Sequence, residues 1–94
     1  MIYAATIEYG PDTSKIVEFR PAHREYLREL VSQNKLVISG PFADDSGGLL
    51  VYDAADESEV DTIIKADPFH KCGVFQAWTL RPWKIVMANR GLLP

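Results

Sequence analysis

Residues 36–52 read LVISGPFADDSGGLLVY, and the fold turns on how this stretch is read. Leu36–Ser39 is a short apolar run closed by Gly40-Pro41. Asp44, Asp45, Ser46, Gly47 and Gly48 form a turn, and Leu49–Tyr52 is a second apolar run. Two such runs joined by more than two residues predict a hairpin with a longer loop. What flanks that hairpin then sets the topology.

Upstream, residues 21–34 carry apolar side chains at helical spacing. Tyr26, Leu27 and Leu30 share one face, while Glu25, Arg28, Glu29 and Ser32 fall on the other. Pro21 suits the first helical turn, where its missing N–H loses no hydrogen bond. His23 precedes the apolar trio by three, four and seven residues, which places it on the same stripe. Residues 10–14 (GPDTS) are a breaker cluster, and residues 2–9 (IYAATIEY) alternate as a first strand.

Downstream of the hairpin, Asp56 with Glu59 forms a helix-capping pair, and Val60, Ile63 and Ile64 give a second apolar helix face. Asp67-Pro68 ends that helix, because a residue before proline is driven out of helical geometry. A final strand is predicted from Cys72 to Leu80, with Val74, Gln76, Trp78 and Leu80 on one face. Residues 82–94 read as irregular or as a short added element.

The predicted order is β-α-β-β-α-β. It describes an α+β, ferredoxin-like domain with a four-stranded antiparallel sheet and both helices on one face. The opposite sheet face is left open. Apolar residues there, Trp78 among them, predict a covering partner, for which a face-to-face homodimer is the simplest solution.

The totals agree with one small domain. Ninety-four residues leave no room for a second core. A chain of this size buries only about 60–65% of its unfolded surface, which favours pairing with a second copy. Ten basic and thirteen acidic residues give a net charge of −3, with signs interspersed and no basic stripe, which argues against nucleic acid. Apolar runs are too short to span a membrane. The N-terminus lacks the basic start and cleavage pattern of a signal peptide. The single cysteine, Cys72, fits a reducing cytoplasm and reads as a packing residue rather than a nucleophile. Two distant histidines and no Cys/His cluster predict no metal site, and the glycine pairs lack a phosphate-binding spacing, so no cofactor is expected.

Arg20-Pro21-Ala22-His23, Gly40-Pro41, Gly47-Gly48, Asp67-Pro68-Phe69, Gly73 and Pro82-Trp83 occur in an order and spacing that resembles the YCII-like family. Each piece is unspecific alone; together they cover residues 1 to about 83. The reading is a single domain, 1–94, with residues 84–94 as an extension that could lengthen a dimer contact. The resemblance implies a dimeric α+β barrel and an active site built on a histidine and an aspartate, which map to His23 and Asp67. One characterised member is a dehydrochlorinase acting on a chlorinated hydroxyhydroquinone. The implied function is a cofactor-free lyase or isomerase that moves a proton on a cyclic or aromatic small molecule.

Such chemistry asks for a group near neutrality that can take and return a proton, and an imidazole meets that demand. An early helical position and burial would both disfavour the imidazolium form of His23. Asp67 would oppose them by accepting the ring N–H and fixing the tautomer. Arg20 is a candidate substrate anchor, or else an ion-pair partner of Asp67 or of a surface carboxylate. Ser39, at a strand end, is a candidate binding residue or a backbone-bonded serine. Tyr3, Tyr26, Phe69, Phe75 and Trp78 either wall a pocket or fill the core, and His70 is expected in solvent. The bland alternative stays open, because a histidine on an apolar helix face is commonly a core residue and Asp-Pro commonly turns the chain. That alternative is a non-catalytic small-molecule-binding or dimerisation module.

Overall fold

The first strand carries the sheet. In the computed structural model, which describes all 94 residues, β1 (Ile2–Tyr9) is central. It pairs antiparallel with β3 (Gly47–Asp53) on one side and with β4 (Phe75–Pro82) on the other. β2 (Leu36–Pro41) adds to the far side of β3, giving the order β2-β3-β1-β4. The helices α1 (Thr13–Ser32), α2 (Glu57–Ala66) and the four-residue α3 (Pro68–Lys71) complete the ferredoxin-like α+β fold, with a 3₁₀ turn at Arg90–Leu92.

Register decides which side chains meet the helices. Tyr3 lies opposite Tyr52, Ala5 opposite both Leu50 and Leu80, and Ile7 opposite Trp78, and directly paired residues share a sheet face. Ala5, Ile7, Leu50 and Tyr52 are buried there with Ile16 and Leu30 of α1, Val60 and Ile64 of α2, and Phe69 of α3. Ala4, Thr6 and Leu49 face the other way and share a shallow hollow with Trp83.

Several boundaries differ from the sequence reading. α1 begins at Thr13, eight residues before Pro21, which therefore lies inside the helix. Asp12 is its cap, accepting from the backbone N–H groups of Ser14 and Lys15. The first two turns bury only Ile16 and so carry little apolar periodicity to detect. Gly47 and Gly48 open β3 rather than forming the turn. A Cβ on Gly47 would stand 2.0 Å from the Ile7 carbonyl oxygen, so only glycine allows this close strand pairing. β4 starts at Phe75 because α3 intervenes and Gly73, at φ +87°, turns the chain into the strand.

Trp78 corrects a second expectation. It is paired with Ile7 and packs against the core on the helix-covered face, not the open one. The register shift at Glu8/Tyr9 hides this assignment from simple alternation. His70 is half-buried, with its ring edge-on to Trp78 at 5.6 Å, rather than free in solvent.

Candidate active site

α1 meets the α2–α3 junction at a buried hydrogen-bonded contact. His23 stands in the middle of α1, on the stripe that also buries Ile16 and Leu30. The expected influence of a helix start on His23 therefore does not apply, because the dipole acts only within the terminal turns. The residue is buried, at 6% exposed.

Asp67 is placed by the break between α2 and α3. Proline at position 68 cannot continue α2, and Asp67 takes an extended conformation that closes one helix and caps the next. Its Oδ1 accepts from the Phe69 backbone N–H at 2.9 Å. The same carboxylate faces His23 Nδ1 at 2.7 Å through Oδ1 and 2.9 Å through Oδ2, and it is fully shielded from solvent. A carboxylate only accepts, so the geometry assigns the proton to Nδ1. Nε2 has no partner, and it is not among the buried orphaned atoms, so the residual exposure of His23 includes this nitrogen.

Aromatic rings fix the imidazole from its flanks. Phe69 stacks on His23 at 4.0 Å with 8° between planes, and Phe75 meets it edge-on at 5.8 Å. Tyr9 packs on both phenylalanines and reaches the surface beside them. Burial pushes the Tyr9 phenol above its ordinary value, an effect the nearby Arg20 guanidinium opposes. Tyr26 ties α1 to α2 by donating to the Ile63 carbonyl at 2.7 Å.

A cleft of about 710 Å³ opens between α1 and the β2 end of the sheet. His23, Arg20 and Ser39 all line it, so three of the four predicted site residues share one cavity. Asp67 lies behind His23 rather than on the wall. Ser39 faces the cleft because it pairs with Leu50, whose side chain points to the helices. Arg20 is bound to Asp45 at 2.8 Å, which settles its partner as a loop carboxylate and not Asp67. Tyr3 is buried in the core, and Trp78 lines a different hollow near α2, so neither walls the cleft. No group of three or more His, Cys, Asp or Glu side chains converges anywhere in the chain.

A model of the YCII-related domain matches residues 1–84. The chain belongs to the YCII-related domain family. It is 35% identical over 63 residues to the uncharacterized protein YjpA of Bacillus subtilis (strain 168), covering 67% of this chain and 73% of that protein. Among solved structures it is similar to the 5-chloro-2-hydroxyhydroquinone dehydrochlorinase TftG from Burkholderia phenoliruptrix AC1100, in complex with 2,5-dihydroxybenzoquinone. That likeness has a TM-score of 0.79 and 28% identity, and covers 89% of this chain and 94% of TftG.

Within this YCII-related chain, sequence reading missed three features of the site. The 85–94 segment lies beyond the family match, and Pro94 reaches the cleft wall. Arg24 also lines the cleft, a place foreshadowed only by its spacing of four residues from Arg20. Tyr52 lies near Asp67, 0% exposed, with a hydroxyl that has no hydrogen-bond partner. Burial first, and then the Asp67 carboxylate, push this phenol far above the ordinary tyrosine range. The fold is shared with a dehydrochlorinase, and no helix is long and apolar enough to cross a membrane.

Proposed function

We propose that this chain is a small enzyme that binds a cyclic or aromatic molecule in the α1 cleft and moves a proton on it, as in lyase or isomerase chemistry. One observation carries the reading: the His23–Asp67 contact at 2.7 Å holds Nδ1 and leaves Nε2 free on the cleft side. Nε2 is then a lone-pair acceptor for a substrate proton. The imidazolium formed on protonation gains a buried counter-charge from Asp67 and a face contact from Phe69. Returning that proton to another substrate atom gives isomerisation; losing a leaving group from the adjacent carbon gives elimination. Both need only proton transfers from the protein. The dehydrochlorinase activity of the similar protein TftG supports the elimination form.

Arg20 and Ser39 are proposed as binding groups, although the Asp45 pair makes Arg20 a wall residue rather than a free anchor. A homodimer through the open sheet face is proposed as well. Ile38, Leu49 and Trp83 are large apolar side chains left 38–46% exposed, and Leu49 and Trp83 border one hollow on that face. The reading places the protein in the cytoplasm.

The test uses hydroxylated and halogenated quinols in heavy water, followed by proton NMR. Wild-type protein is expected to catalyse deuterium incorporation or halide loss, and His23→Gln is expected to lose it. Undiminished turnover in His23→Gln would remove the proton-transfer role. Binding without turnover in the wild type would favour the non-catalytic module.

A further inference from the structure

Arginines recur every four residues along the cleft side of α1, a short basic row where the interspersed charges of the sequence suggested none. Arg20, Arg24 and Arg28 lie at helical spacing on one flank, and all three line the cleft that holds His23. No aspartate or glutamate lines it, in a chain whose thirteen acidic residues outnumber ten basic ones. The same three arginines also border a shallower hollow on their other side, where Glu25 joins them.

The three guanidinium groups are not equivalent. Arg20 is held by Asp45 at 2.8 Å and Arg28 by Glu25 at 3.0 Å. Arg24 has neither an ion pair nor a side-chain hydrogen bond, although its neighbours along the helix have both. Across the cleft the Ser39 hydroxyl is likewise exposed and unengaged. Between these polar walls lie Leu27, Leu36 and Leu50. An apolar floor with one free guanidinium and one free hydroxyl matches a planar ring carrying an anionic substituent.

We infer that the cleft selects anionic ring compounds, bearing a carboxylate or phenolate, and that Arg24 is the residue that binds the charge. This inference rests on the cleft assigned above as the ligand site, and it adds the charge class of the ligand. Arg24 supplies a fork of N–H donors for two oxygens or for one oxygen and a bridging water. Arg20 and Arg28 are each paired with a carboxylate, which leaves Arg24 the uncompensated charge of the three.

Benzoate and benzamide, matched in shape and different in charge, separate the possibilities. Each is titrated into nitrogen-15-labelled full-length wild type, Arg24→Gln and His23→Gln, at low salt and at about 0.15 M salt. Benzoate is expected to shift amide signals on α1 and around Ser39, and to bind about tenfold or more tightly than benzamide, a preference that salt weakens. Arg24→Gln is expected to bring benzoate down to the benzamide level and leave benzamide unchanged. Arg24 is exposed, so its replacement leaves the core intact. His23→Gln is expected to keep the preference, so loss of turnover there with intact benzoate selection separates the dyad from the anion site. Equal binding of the two probes, no benzoate binding, or full benzoate affinity in Arg24→Gln would overturn the inference and leave Arg24 a solvated surface residue.

Discussion

Asp67 and Tyr52 lie in the same helix–sheet interior, and both are 0% exposed. Their polar atoms have opposite fates. The Asp67 carboxylate accepts from the Phe69 backbone and from His23. The Tyr52 hydroxyl meets no partner at all. An unsatisfied buried hydroxyl costs about 1–3 kcal/mol, so Tyr52 is held there by its ring, which fills the space beneath the helices. A buried carboxylate would cost far more without partners, and this one has them on both oxygens. The contrast teaches that burial alone does not mark a functional polar group in this fold. Of the two, only Asp67 is satisfied by a group that itself reaches the cleft.

The largest effect expected of any single substitution tests the reacting end of that network. His23→Gln keeps size and polarity but removes the base, and turnover of any accepted substrate should fall by about 10²- to 10⁴-fold with the fold retained. Steady-state rates beside a circular dichroism melt would check both halves of that statement. An equal fall in thermal stability would make His23 a core residue first.

Asp67→Ala should then show what the partners are worth to stability. It strips the α3 cap and leaves His23 Nδ1 without an acceptor, and a loss of about 2–4 kcal/mol is expected in urea unfolding. A loss below about 0.5 kcal/mol would mean that the carboxylate is not engaged as described.

Tyr52→Phe should run the other way. Removing an unpartnered hydroxyl while keeping the ring is expected to leave stability equal or raise it by up to about 1 kcal/mol. A clear destabilisation in the same urea experiment would reveal a hydrogen-bonded water or another partner at that oxygen.

The smallest effect is a dependence on alkaline pH. Tyr9, Tyr26 and Tyr52 all have phenol pKa values raised by burial from the ordinary 10.0. Above pH 10 the native state keeps protons that the unfolded chain releases, so stability should be level up to about pH 10 and fall beyond it. Tyr52→Phe should flatten that decline, and an unchanged decline would assign it to other groups.

Much of this architecture is legible in the sequence, and the losses have physical causes. The strand–helix order could be read because the His23–Leu30 stripe and the Val60–Ile64 stripe are long enough to show a helical period. His23 and Asp67 stood out through the family resemblance, and their contact follows from two helices on one sheet face. The start of α1 was not legible because Pro21 imitates a helix opening, while the Asp12 cap sits ahead of turns with one buried residue. α3 has only four residues, too few for any period. The face of Trp78 depends on a register shift, which sequence alternation cannot carry. Arg24 and Tyr52 differ from their neighbours only in the partners they lack, and that is a property of space.

Imidazole nitrogen NMR reads the His23–Asp67 contact at the proton it holds. With His23 and His70 the only histidines, a proton–nitrogen correlation spectrum of wild type and Asp67→Asn resolves both rings. A single Nδ1–H tautomer is expected at His23 in the wild type, lost or mixed in Asp67→Asn, with His70 unchanged in both. A His23 ring that exchanges freely between tautomers in the wild type and ignores the Asp67 substitution would contradict that contact.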